Sequence, residues 1–503
     1  MLLRISSSTP PRSAFFRRTR PFHKFRIVLT IAMSMSTKAT NYGSMASGGQ
    51  VAAAAIATPT TLNVDRLQEP MRATHESGVN LTYEWRIQQL KTMRRMLVEN
   101  RKVFQQALQA DLGRDPIEAY VGEILQVEKE VDYFLKNLQH LMRPTQVPSP
   151  AVMIPGFTYL ERRPLSSPGV CIIGSCNFPF QLSLRPAVGS LAGGNPTVVK
   201  PSELTENTCN ALKQLIPQYF EPGALQVVTG AVPETTALLE KQWGMMVFTG
   251  SERVGKIVAE SCAKTLTPVL LELGGKCPVI VDETATHLDN VADRIIFGKL
   301  LNAGQVCVAP DTLFVHEKYA EPLREALVRK LKSQFGKDPK QSGLPRMVLA
   351  SHAQRQVELI QEAENDKGTT ILCGGSQTCD PESKYVCPTI VSIGPNSSPS
   401  LRILNEEIFG PILPIVTFKS REEVVKMVRE LPGTPLALIV FTSSADVFND
   451  FTNKCPSGMA FRNDMVVHMA SSHVSHGGLG SSGIGAYHGK KVSLSLSAWP
   501  IRC

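Results

Sequence analysis

The chain has 503 residues, 43% of them hydrophobic and 19% charged, which is enough for the cores of two or three domains and excludes a disordered or collagen-like chain. Its formal net charge is +9, but eight basic residues lie between Met1 and Val64, where no Asp or Glu occurs, leaving 45 against 44 over the rest. The body of the protein therefore gives no electrostatic reason to expect nucleic acid as a partner. Eleven cysteines are scattered with no C-x-x-C pair, which argues against a disulfide framework or a structural zinc site and for a reducing compartment. No run approaches the roughly 18 to 20 apolar residues that a membrane span requires.

Residues 1–64 read as a leader and linker. The acid-free, Arg- and Ser-rich start fits an organellar transit peptide, for the chloroplast first and the mitochondrion second. A start at Met33, Met35 or Met45 would instead leave a cytoplasmic protein. Gly43 to Thr61 is small and low in complexity. Apolar residues then recur at helical spacing from Leu81 to Leu112 and from Ile117 to Leu141, predicting two long amphipathic helices. A Pro-rich passage, Pro144 to Pro155, leads to a predicted strand over Phe157 to Leu160.

Short apolar runs follow near Val170–Ile173, Thr197–Val199, Leu225–Val228, Met245–Phe248 and Val269–Leu271, spaced by helix-compatible stretches. A second series lies near Val279–Val281, Leu313–His316, Ile412–Phe418 and Leu438–Phe441. Strands alternating with helices mean βαβ units and parallel sheets. The predicted class is α/β, with two parallel-sheet domains and a cleft between them.

Three glycine-rich stretches compete as phosphate cradles. Gly250 to Ile257 follows a strand, opens a helix and nearly spells a P-loop, but Ile257 lacks the hydroxyl that would hold magnesium. Its helix start still suits a pyrophosphate. Gly478 to Gly483 matches G-x-G-x-x-G with no acidic residue downstream, so it reads as a flexible turn. In Leu271-Glu272-Leu273-Gly274-Gly275 a carboxylate ends an apolar run; such a group is usually a capped strand end and sometimes a base. Cys307 lies beyond a helix starting near Leu288, between Gly304 and Pro310. A lone Cys is usually a small buried hydrophobe, but a tight turn with free N–H groups could hold a thiolate.

Segments from Tyr83 to Lys491 stand in a telling order: Asn177-Phe-Pro179, Lys200-Pro-Ser-Glu203, Val232-Pro-Glu-Thr-Thr236, Phe248-Thr-Gly-Ser251, Leu271-Glu-Leu-Gly-Gly-Lys276, Gly304-Gln-Val-Cys307, Glu406-Glu-Ile-Phe-Gly-Pro411 and Gly485-Ala-Tyr-His-Gly489. On these the chain resembles the aldehyde dehydrogenase superfamily, and within it family 3, the dimeric type associated with fatty and other medium- to long-chain aldehydes. The resemblance implies oxidation of an aldehyde to the acid with NAD, NADP being possible, and no metal. It implies Cys307 as nucleophile through a thiohemiacetal and thioester, Asn177 as oxyanion donor and Glu272 as base. Lys200 and Glu203 would flank the adenosine ribose, Gly250, Ser251 and Gly255 the pyrophosphate, and Glu407 and Phe409 the nicotinamide riboside.

The resemblance also implies a cofactor domain over 65–270, a catalytic domain over 271–464, and a C-terminal bridging segment over 465–503. That segment would form a homodimer element with 144–163. Departures are Cys176 in place of a Trp, Ser475-His476 in place of a Pro-Phe pair, an apparent insertion at Ser166-Ser167-Pro168, and an altered tail after Lys491. A catalytically silent cofactor-binding relative and a cofactor-independent thiol esterase are the alternative readings.

Overall fold

The computed structural model describes residues 62–489 except 154 and 337, and the backbone of 501–502. Of the leader and linker expected over 1–64, residues 1–61 lie outside the described residues, and so does the altered tail expected after Lys491 as far as residue 500.

The chain enters through helix Val64–Ser77, whose start is capped by the Asn63 side chain and whose end is closed by left-handed Gly78. The run expected as one helix over 81–112 is two, Tyr83–Glu99 and Arg101–Leu112. They meet at Asn100, whose amide donates to the Met96 carbonyl and the Tyr219 hydroxyl. The apolar period continues across that joint because both helices face the same core, so periodicity alone conceals the break. The second run is also divided, into Pro116–Ala119, a wide π turn over Tyr120–Ile124, and Leu125–Leu141. The wide turn carries Glu123, whose buried carboxylate accepts from the Phe180 and Gln181 N–H groups and pairs with Arg114.

In chain order the strands are β1 (Thr145–Val147), β2 (Thr158–Leu160), β3 (Val170–Ile173), β4 (Thr197–Lys200), β5 (Leu225–Val227), β6 (Met245–Thr249), β7 (Val269–Glu272) and β8 (Pro278–Val281). They continue as β9 (Thr312–His316), β10 (Thr369–Cys373), β11 (Thr389–Ile393), β12 (Ile412–Phe418), β13 (Ala437–Phe441), β14 (Met459–Arg462), β15 (Gly483–Ile484) and β16 (Ile501–Arg502). One sheet has the order β15-β7-β6-β3-β4-β5, parallel except for β15; a second has the order β10-β11-β12-β9-β8-β13-β14, parallel except for β10. A small antiparallel sheet, β1-β2-β16, pairs Ile501 with Leu160 and Arg502 with Tyr159. The α/β class with two parallel-type sheets is thus present.

The near-continuous apolar runs follow from burial on both faces. Val170 and Ile172 of β3 enter one core, Cys171 and Ile173 the opposite one. Likewise Val279 and Val281 of β8 face one cluster and Ile280 another. The edge strands β10 and β14 escaped the sequence reading because they are only partly buried and so carry a weaker apolar signal.

The first sheet reverses its winding direction between β3 and β6, and ligands of such sheets bind outside the carboxyl ends of the strands at that switch. The loops leaving β3 and β6 carry Asn177 and Gly250.

The glycine-rich stretch Gly478 to Gly483, expected as a flexible turn, forms a turn over Gly480–Ser482 that runs into a strand. β15 lies antiparallel on β7, with Gly483 opposite Glu272 and Ile484 opposite Leu271, and the Leu273 N–H donates to the Ser482 carbonyl at 3.0 Å. The unpaired edge of β7 supplies the partner for the chain that leaves this turn.

Candidate active site

Asn177 sits on the loop between β3 and helix Gln181–Ala192 and is 3% exposed. Its carbonyl accepts from the Arg114 guanidinium and, at 2.8 Å, from Asn302 Nδ2. Its own Nδ2 donates to the Gln305 carbonyl at 3.0 Å, two residues before Cys307. This leaves a second amide hydrogen, since the side-chain NH2 carries two.

Helix Leu288–Leu300 unwinds into a turn over Leu301–Gly304, where Asn302 and Ala303 both take left-handed backbone conformations (φ 51 and 52). Such residues cost about 1 to 3 kcal/mol each and persist only where their surroundings hold them. Here Arg114 Nε donates to Asn302 Oδ1 at 3.1 Å, the Asn302 N–H donates to Glu118 at 3.1 Å, and Gln305 ties the turn to Arg346 and Val348. Cys277 Sγ donates to the Cys307 carbonyl at 3.2 Å. The Cys307 thiol faces its own N–H and that of Val308, both of which favour the thiolate.

Burial nevertheless dominates. The thiol of Cys307 is pushed up to about 12, first by burial and then by the carboxylates of Glu272 and Glu407. Both acids therefore lie within electrostatic reach of the sulfur. Glu272 ends β7, is 2% exposed, and neither of its oxygens accepts a hydrogen bond among the described residues. Burial raises it well above the ordinary carboxylate range. Glu407 is raised to about 7 by burial and by Asp311, against the opposing Gly275 N–H, Lys276 and Arg355.

The loop carrying Glu407 and Phe409 is held by a buried pair. Lys276 Nζ bonds Asp311 and the carbonyls of Ile403 (2.7 Å) and Glu406 (3.1 Å). Asp311 accepts from the Ile408 N–H at 2.9 Å, and Arg355 donates to the Glu407 carbonyl at 2.9 Å. Phe409 has φ 50, an uncommon conformation for a bulky residue and the kind that concentrates at functional sites.

The remaining residues cluster at the carboxyl end of the first sheet. Lys200, buried at the end of β4, pairs with the exposed carboxylate of Glu203. Gly250 leaves β6, and Ser251 caps helix Glu252–Ala263 by accepting from Val254 N–H. A Cβ at Gly250 would come within 2.5 Å of the Phe248 ring, and one at Gly255 within 2.6 Å of Leu273. Packing against Phe248 and Leu273 thus requires both glycines, and the helix start they allow, at the carboxyl end of the sheet, fits a dinucleotide pyrophosphate. The Gly250 N–H donates to the Glu272 carbonyl at 3.0 Å, joining this cradle to the strand that bears the buried acid. The structure therefore gathers Cys307, Glu272, Asn177 and Glu407 at one place and sets Gly250 directly beside them.

Sequence reasoning missed Arg114, Asn302, Cys277, Lys276 and Asp311. Lys276 lay inside a quoted motif, but nothing local told that it would reach an acid 35 positions on. Arg114 had no signal of its own: besides Glu123, nine positions on, its partners are Asn177 and Asn302, 63 and 188 positions away.

Doubly wound sheets, a bare helix start for a dinucleotide, and a thiol flanked by buried carboxylates define a nucleotide-dependent α/β oxidoreductase. Residues 37–498 match the model of the aldehyde dehydrogenase family. The chain is 37% identical over 435 residues to the dimeric NADP-preferring aldehyde dehydrogenase of Canis lupus familiaris, covering 86% of this chain and 93% of that one. It is 37% identical to the 4,4'-diaponeurosporen-aldehyde dehydrogenase of Staphylococcus aureus, over 81% and 86% of the two chains. A chloroplastic family 3 member of Arabidopsis thaliana is 37% identical, over 84% and 76%. Among solved structures, a substrate-bound Staphylococcus aureus aldehyde dehydrogenase superposes with a TM-score of 0.83 at 34% identity, covering 87% and 93%. The chain belongs to the aldehyde dehydrogenase family, and it is an NAD(P)-dependent enzyme that oxidises aldehydes to acids.

Proposed function

We propose that this enzyme acts on medium- to long-chain or lipid-derived aldehydes, with Cys307 as nucleophile, Asn177 as oxyanion donor and Glu272 as the base of hydrolysis. The observation that carries the assignment is the Cys307 thiol held within reach of the buried Glu272 carboxylate, which accepts no hydrogen bond among the described residues, on a turn stitched to Asn177. Cys307, its proton released to water, attacks the aldehyde carbon as the thiolate; the C–S bond forms as the carbonyl π bond breaks, and the charge that develops on oxygen is bound by the free hydrogen of Asn177 Nδ2 and by the Cys307 N–H. One such donor contributes about 3 kcal/mol. When bound, NAD(P)+ supplies the hydride acceptor and a positive charge beside the two carboxylates. Glu272, raised towards the working pH by burial, takes a proton from water as the water oxygen bonds to the carbon of the thioester on Cys307. The C–S bond then breaks and the thiolate leaves.

Lys200 and Glu203 would hold the adenosine ribose, Gly250, Ser251 and Gly255 the pyrophosphate, and Glu407 with Phe409 the nicotinamide riboside. The Glu203 carboxylate suits the free 2'-OH of NAD, and its pairing with Lys200 tempers the repulsion of a 2'-phosphate, so both cofactors are accepted. A relative named for NADP preference supports that breadth, and a relative named for a 4,4'-diaponeurosporen-aldehyde supports an apolar substrate. The first sheet would carry the cofactor and the second the chemistry. The three-stranded sheet is the proposed homodimer element, in keeping with a relative named as dimeric. A chloroplast address is supported by the acid-free basic leader and by a chloroplastic relative. No helix among the described residues is long and apolar enough to cross a membrane.

Steady-state kinetics over an aldehyde series from propanal to dodecanal, with NAD and with NADP, tests the reading through the absorbance of the reduced nicotinamide. A kcat/KM that climbs with chain length and vanishes in Cys307→Ser is expected. Folded, cofactor-binding protein that oxidises only the shortest aldehydes, or that keeps its rate in Cys307→Ser, defeats it.

A further inference from the structure

The pairing of β15 on β7 brings a second titratable group to Glu272. His476, bridged through its backbone to Tyr487, places Nε2 3.5 Å from Glu272 Oε2, with both side chains buried. It is the one basic side chain within 4 Å of that carboxylate among the described residues. We propose that His476 is the positioning residue of Glu272: as a neutral imidazole it turns Nε2–H toward the carboxylate, holding it ionised and aimed for proton uptake from water.

The inference rests on Glu272 being the base of hydrolysis. A carboxylate in a dry pocket favours its protonated form, and only the ionised form can take a proton. A hydrogen-bond donor favours the ionised form; a neutral donor does so without adding a buried charge. The surroundings keep His476 neutral. Its ring stacks on His468 (centroids 5.9 Å apart, planes 16° apart) and lies 5.8 Å from His488 and 6.2 Å from Tyr487. Arg185, paired with Glu130, adds positive potential to the same cluster. Burial, His468 and Arg185 push His476 down to about 3. Among the described residues both nitrogens of His468 and of His488, Nδ1 of His476 and the Tyr487 hydroxyl make no hydrogen bond, so no other group of the cluster takes up Nε2–H. In the step itself a water O–H bond breaks, its proton goes to Glu272, its oxygen bonds the thioester carbon and the thiolate leaves; His476 keeps its proton throughout.

The test is the pH dependence of acyl-enzyme decay in the full-length enzyme mixed with hexanal and NAD, followed as loss of the acyl mass from Cys307 after rapid quenching. His476→Phe, which removes the donor, is expected to move the acidic limb of the decay rate upward by about one pH unit or more, and His476→Gln, which keeps an N–H at similar reach, to hold it within about 0.3 unit of the wild type. If His476→Phe does not fold, His476→Asn, whose donor falls short of Glu272, must show the same upward movement. A limb unmoved in the variant that folds, or moved equally in His476→Gln, overturns the proposal. Glu272→Gln separates the two levels: decay at the wild-type rate removes the base assignment and this inference with it. Loss of decay in Glu272→Gln together with an unmoved limb in the donor-deleted variant removes the role of His476 alone.

Discussion

Cys307 is a thiol that its own surroundings disfavour as a thiolate. Burial and the charges of Glu272 and Glu407 hold it up to about 12, against two backbone N–H groups that pull the other way. In the cofactor-free enzyme the thiol is therefore protonated at neutral pH, and alkylation of Cys307 by iodoacetamide should be slow near pH 8 and rise about tenfold per pH unit. Removing a negative neighbour favours the thiolate, so Glu407→Gln should label Cys307 several-fold faster at about the same pH. Peptide mass spectrometry of Cys307 reads both, and equal labelling rates in Glu407→Gln and wild type would refute the electrostatic account. The identity of Cys307, Glu272 and Asn177 was legible because each sits inside a motif only a few residues long. Arg114, Cys277 and Asp311 were not legible, since their contribution is a hydrogen bond to a partner far along the chain.

Among the elements, β15 decides the most. Two residues of glycine-rich chain lie on the edge of β7 and thereby fix both the backbone beside Glu272 and the approach of His476. Gly483 has φ 155, and a Cβ there would clash with the Leu271 carbonyl and come within 3.2 Å of Gly478 Cα. Gly483→Ala should therefore push β15 off the edge, lowering stability by about 1 to 3 kcal/mol and lowering kcat. Cofactor affinity should change little, because the Gly250 cradle belongs to β6. Urea unfolding, nicotinamide reduction and cofactor titration check the three parts; unchanged kcat with unchanged stability would show that β15 does not shape the site. The strands of the two parallel sheets were mostly legible, because burial on both faces writes an unbroken apolar run into each. The joint at Asn100 and the π turn at Tyr120–Ile124 were not, since a helix can change axis or pitch without losing its apolar period.

At the scale of the whole molecule, the buried histidines link stability to pH. His476 and His488 stay neutral in the fold, held well below 6.5 by burial and by Arg185 and the neighbouring histidines. The unfolded chain binds protons there near pH 6.5, so it holds more protons than the fold below that point, and stability falls as pH falls. From about pH 7.5 to 5.5 His468, His476 and His488 should each contribute a loss of about 1.4 kcal/mol. Glu407 and Glu272 offset it in part, because their raised carboxyls bind protons more tightly in the fold and so stabilise it as pH falls. Denaturant unfolding at both values reads the sum. His476→Phe should remove one histidine's share, about 1.4 kcal/mol of loss over that range, and an identical pH slope in the variant would contradict it.

By itself the sequence determined the α/β class, the family, the near-neutral body behind an acid-free basic stretch, and the short motifs that hold the thiol, the acid and the amide. These are local properties: a period of apolar residues, or a residue type beside a glycine. Only the tertiary structure decided that the tail from His476 to Ile484 packs against Glu272, that Arg114 and Asn302 brace the Cys307 turn, and that three histidines share one buried cluster. Those contacts join segments far apart in the chain, and they form because packing and unpaired strand edges, rather than local residue preference, select the partner.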